Sequence, residues 1–175
     1  MVHIKKLKII MISIILAVIA LIPNNVLADG PSYDITNYDM DAYIQEDGTI
    51  HIDESITYYF SSSANGLTRD LRYFYKTNKD SMEPNSARYQ ATGIENITVA
   101  VTNPANITTN FTKASNAEKG DNGVYTVDAV NADRTDGYDI MVYSPISSNN
   151  FQTVHYSYDI TDAVVQYNDM SEIYY

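Results

Sequence analysis

The stretch Ile50-His51-Ile52-Asp53-Glu54-Ser55-Ile56-Thr57-Tyr58-Tyr59-Phe60 alternates with a period of two. Read as a strand, it puts Ile50, Ile52, Glu54, Ile56, Tyr58 and Phe60 on one face and His51, Asp53, Ser55, Thr57 and Tyr59 on the other. Upstream, Tyr33 to Gln45 alternates more loosely through Met40, Ala42 and Ile44, with Glu46-Asp47-Gly48 in between. Asp-Gly between alternating runs signals a hairpin, because a type I′ turn needs positive φ at both central residues. The chain therefore opens on a long β-hairpin.

The same period recurs downstream, with almost no helical periodicity. Leu67 to Lys76 reads as a short strand or a helical turn, after a polar turn at Ser61 to Gly66. Asn78 to Gly93, which contains Pro84, reads as a long loop of the kind that carries function. Ile94 to Val101, Ile107 to Thr112, Val124 to Val130, Tyr138 to Tyr143 and Phe151 to Ile160 read as strands, with an Asp-rich loop at Asn131 to Gly137. Seven or eight strands separated by turns, without strand–helix alternation, predict an all-β, antiparallel β-sandwich, immunoglobulin-like or similar.

Residues 1–28 differ from the rest. Lys5, Lys6 and Lys8 precede a run of 14 residues, Ile9 to Ile22, broken only by Ser13. Pro23-Asn24-Asn25 then interrupts, and Val26-Leu27-Ala28 offers a cleavage site before Asp29. That order predicts a signal peptide helix; spanning a bilayer takes ~20 apolar residues. The domain then occupies residues 29–175, on the outer side of a membrane or in the cell envelope. The rival reading is an uncleaved signal anchor.

The formal net charge is −11, and removing residues 1–28 leaves 22 acids against 8 bases, a formal −14. Such a surface repels nucleic acid and anionic headgroups, so neither is an expected partner. Cysteine is absent, so thiolate chemistry, a lipidated cysteine and disulfides are excluded. Sixteen tyrosines and no tryptophan complete a strand-forming composition.

Several segments together carry a resemblance. They are Tyr33-Asp34-Ile35, Tyr43 to Ile50, Glu54 to Phe60 and Asn65-Gly66-Leu67-Thr68-Arg69-Asp70-Leu71. Val154 to Ile160 with Ala163-Val164, and Asp169 to Tyr175, follow in order. In sequence and spacing the mature chain resembles the N-terminal extracytoplasmic domain of the YciQ-like predicted bacterial membrane proteins, domain of unknown function 2207. The resemblance implies further β structure and a membrane anchor in segments beyond Tyr175, and it brings no established activity. Tyr175 stands where that family usually shows Trp.

Three constellations are candidates for function. Glu54 shares a face with Ile52 and Ile56, where a carboxylate needs a partner; Arg69 or Arg72 would supply one. A structural ion pair, Glu54 with Arg69, is favoured over a catalytic carboxylate. Asp133, Asp136 and Asp139 could hold Ca²⁺, although Arg134 and the wrong spacing for an EF-hand favour a plain turn. Tyr59, Tyr73 and Tyr75 belong to adjacent aromatics, of which one neighbour should be exposed and available for stacking. His51 and His155 are isolated on strands, and the three Asn-x-Thr matches at Asn96, Asn106 and Asn110 fall in a Thr/Asn-rich segment.

No catalytic motif is present, and no catalytic residue is assigned. The expectation is a non-enzymatic domain that meets an envelope protein or cell-wall glycan. One alternative is an enzyme acting on envelope polymers through Glu54 and the loop aspartates; another is a calcium-stabilised adhesion domain.

Overall fold

The computed structural model describes residues 31–75, 91–131, 135–166 and 171–173. The expected signal peptide, most of the expected Asn78 to Gly93 loop, Asp133 and Tyr174-Tyr175 lie outside them. So does the side chain of Tyr75.

The architecture is a two-sheet β-sandwich. The first sheet contains β1 (Tyr33–Ile44), β2 (Ile50–Phe60), β4 (Gly93–Thr102), β5 (Thr108–Asn110) and β9 (Asn150–Thr161), in the order β1-β2-β9-β4-β5. The second contains β3 (Ala64–Tyr75), β6 (Thr112–Lys113), β7 (Val124–Asn131) and β8 (Thr135–Ile146), in the order β3-β8-β7-β6. A small hairpin, β10 (Val164–Gln166) with β11 (Ser171–Ile173), lies beside the first turn: Val164 N–H donates to Gly48 O at 3.1 Å. All pairings are antiparallel except the short β6–β7 contact.

The alternation in β2 becomes burial. Ile50, Ile52, Glu54, Ile56, Tyr58 and Phe60 are buried, while the residues between them face out. β9 repeats this with Gln152, Val154, Tyr156, Tyr158 and Ile160. The second sheet contributes Leu67, Leu71, Tyr125, Ile140, Val142 and Ile146. Burying a large aliphatic or aromatic side chain stabilises by roughly 1.5–3 kcal/mol, so this interior holds the fold without disulfides.

The expected antiparallel sandwich is present, with nine strands among the described residues plus the β10–β11 hairpin. Three expectations need correction. The strand expected from Leu67 is neither short nor helical: it starts at Ala64 inside the expected turn and runs twelve residues to Tyr75, paired with β8 through two register shifts. Ile107 to Thr112 splits because the chain changes sheets at Phe111, whose N–H donates to Val99 O at 2.9 Å while Thr112 N–H donates to Gly123 O at 3.0 Å. The first turn is not type I′, since only Gly48 has positive φ (86°). Glu46-Asp47-Gly48 is a three-residue loop, closed by Gln45 N–H to Thr49 O at 2.8 Å and by Thr49 N–H to Asp47 Oδ1 at 2.9 Å.

Three polar contacts staple the sheets across the core. Arg69 on β3 reaches Glu54 on β2, Gln152 Nε2 donates to Ser144 Oγ at 2.7 Å, and Tyr125 OH donates to Ile97 O at 2.8 Å. Each satisfies a group whose burial would otherwise cost free energy.

Candidate functional site

Glu54 is 1 % exposed. Arg69 holds it by two contacts, Nε to Oε2 at 3.0 Å and Nη2 to Oε1 at 2.8 Å. The Tyr158 and Tyr38 hydroxyls also donate to Oε1, at 2.8 and 3.1 Å. Parity places Arg69 on the inner face of β3, between the buried Leu67 and Leu71. Burial pushes the Glu54 carboxyl up, but the bonds and charge of Arg69, with the two tyrosines, outweigh it and hold the pKa below the ordinary value. Burial likewise lowers Arg69, and the Glu54 carboxylate more than reverses this. A carboxylate engaged at both oxygens and closed off from water is poorly placed for proton transfer.

The outer face of the first sheet carries a ladder of cross-strand pairs. Tyr59 packs on Phe151 with ring centroids 4.9 Å apart and the rings tilted by 47°, and its hydroxyl donates to Asn149 Oδ1 at 3.1 Å. Below them, Thr57 meets Thr153 at 2.9 Å, and Ser55 Oγ lies 2.8 Å from His155 Nδ1. His155 Nε2 lies 2.8 Å from Thr102 Oγ1. His51 Nδ1 sits 2.6 Å from Asp159 Oδ1, and Asn96 Nδ2 donates to the other oxygen of Asp159 at 2.6 Å. The Asp159 bond raises the pKa of His51, and burial lowers that of His155. Asn96 and Asn106 adopt left-handed φ of 53° and 61°, a conformation that asparagine tolerates better than most residues.

The other sequence candidates fall apart spatially. Tyr73 is half-buried and packs on Tyr138 at 6.3 Å between centroids, and Tyr75 ends β3 opposite Thr135. Asp136 and Asp139 stand on β8 rather than in a loop, because β7 and β8 stay paired to Asn131 and Asp136. Asp139 accepts from Arg72 Nη2 at 2.5 Å. Among the described residues, no three His, Cys, Asp or Glu side chains are grouped to hold a metal ion.

One surface was not singled out from the sequence. β1 pairs with β2 alone among the described residues, and every one of its residues is exposed. Cα partners share a face, so Tyr33, Ile35, Tyr38, Met40, Ala42 and Ile44 stand on the core side, opposite Phe60, Tyr58, Ile56, Glu54, Ile52 and Ile50. A bulge at Thr36 brings the odd- and even-numbered halves into phase. The second sheet does not cover this stripe. Ile35 is 58 % exposed, Met40 48 % and Ile44 57 %. An open groove of about 590 Å³ runs beside its first half, from Tyr33, Ile35 and Tyr38 to Thr68, Arg69 and Asp70 of β3. The apolar alternation was legible, but nothing local says that a strand is terminal and uncovered.

Residues 34–175 match the sequence model of a family described as "Predicted membrane protein (DUF2207) N-terminal domain". No curated protein matches the chain, and no solved structure does. Among the described residues, no helix is long and apolar enough to cross a membrane.

Proposed function

The chain belongs to that family, the N-terminal domain of predicted membrane proteins, and on this premise we propose that it is a non-enzymatic interaction domain on the outer side of the membrane. The observation that carries the reading is the uncovered apolar stripe of β1. Soluble domains rarely leave a contiguous apolar surface open unless something docks there. The export features of residues 1–28 and the acidic, cysteine-free composition support the outer location. The enzyme reading loses Glu54, whose carboxylate serves the core.

The aromatic pair Tyr59–Phe151 favours a second reading on the opposite face. Phe151 is 52 % exposed, and two tilted rings side by side form a platform for a sugar ring. The two readings separate in one experiment. A photo-crosslinking residue replaces Met40 or Phe151 in the full-length protein in its native membrane. The interaction reading expects a discrete protein adduct from position 40. A glycan adduct from position 151 alone favours the platform, and the absence of adducts from both positions overturns the proposal.

A further inference from the structure

We propose that β1 is a strand-addition site for an extended segment of a second protein, one in which apolar residues alternate with lysine or arginine. This rests on the interaction reading above and names the partner's chemistry.

The backbone supplies the first argument. β1 is twelve residues long, roughly 40 Å at the rise of an extended chain, and ends its sheet. Edge strands are usually blunted by short length, proline, bulges or charged side chains, lysine above all. β1 contains neither proline nor lysine, and its one bulge preserves the apolar phase rather than ending it. A strand added along this edge would gain main-chain hydrogen bonds. Its alternate side chains would lie over the stripe and into the groove beside β3.

Charge selects the occupant. The outer face of β1 carries Asp34, Asp39 and Asp41, and Asp41 stands opposite the exposed Asp53 of β2. Neither β1 nor β2 contains a lysine or arginine. Asn37 Nδ2 donates to Asp39, which leaves the carboxylate charge in place. A second copy of the chain, paired edge to edge, would set these aspartates against their own kind, and like charges on paired strands destabilise. A strand with lysine or arginine at every second position would meet them with opposite charge, while its apolar positions cover the stripe. Specificity thus comes from attraction to one class and repulsion of another.

The test uses the chain and synthetic extended peptides, with affinity read by fluorescence anisotropy. A peptide alternating isoleucine and lysine is expected to bind, more weakly as salt rises. The double variant Asp39→Asn, Asp41→Asn should weaken it on the order of tenfold. A peptide alternating isoleucine and glutamate, and the lysine peptide N-methylated at every second amide, should not bind. These peptide controls need no variant to fold. No binding of the isoleucine–lysine peptide overturns the proposal, as does equal binding of the glutamate or N-methylated peptide. A dimer of the free chain that Met40→Lys dissolves would make a second copy the occupant. If the purified full-length protein refuses a peptide that the chain accepts, its own remainder is the occupant. A protein adduct from position 40 with no binding of the isoleucine–lysine peptide would keep the interaction reading and sink the strand; no adduct from either position would sink both.

Discussion

Glu54 is the residue whose environment can be read most fully. A lone carboxylate in an apolar interior costs several kcal/mol, and two contacts from Arg69 with two tyrosine hydroxyls offset that cost. Arg69→Met removes the partner and leaves the charge, so it should destabilise by about 3–5 kcal/mol in denaturant unfolding. Adding Glu54→Leu should recover much of the loss; a double variant as unstable as the single one would contradict the account. The histidines give a second prediction at this scale. His51 has its pKa raised in the fold, so its stabilisation is fully present below ~6.5 and is lost as pH rises through the folded value. His155 has its pKa lowered, so the fold is favoured above ~6.5 and loses that advantage as pH falls toward the folded value. Imidazole NMR titration should therefore place His51 above the free value and His155 below it. The deficit of His51→Gln should shrink from pH 6 to 8, and His155→Gln should lose part of the acid sensitivity of the parent.

At the scale of elements, the long alternating strands were the most legible. Ile50 to Phe60 announces its buried face by alternation, Phe151 to Ile160 is legible as a strand, and the structure pairs the two along their whole length. β3 was misjudged because its pattern is interrupted. Arg69 occupies an inward position between Leu67 and Leu71, and register shifts fall between Ala64 and Gly66 and between Arg72 and Phe74. Only tertiary pairing with β8 explains those interruptions. Gly66 is part of the reason: a Cβ there would overlap the Val142 carbonyl oxygen, so no other residue permits that approach. Gly66→Ala should force β3 away from β8 and lower the melting temperature by several degrees, on the order of 1–3 kcal/mol for an overpacked core. An unchanged melting temperature would show that the edge relaxes at no cost. Asp136 and Asp139 show the converse: Asp-rich runs read as turns even where cross-strand pairing carries them into a strand.

At the scale of the whole molecule, two properties combine. The net charge is −11, yet one edge of the sandwich exposes the kind of alternating apolar face that other strands bury. Composition revealed the charge. It could not reveal the exposed face, since burial depends on which strand ends the sheet. The central claim, that β1 is kept open for a partner, is tested most directly by amide hydrogen exchange of β1. The full-length protein would be compared in native membranes and after purification to a single polypeptide. The account predicts that β1 amides exchange more slowly in native membranes and lose that protection on purification, while those of β3 exchange alike in both. Equal exchange of β1 in the two preparations would contradict it.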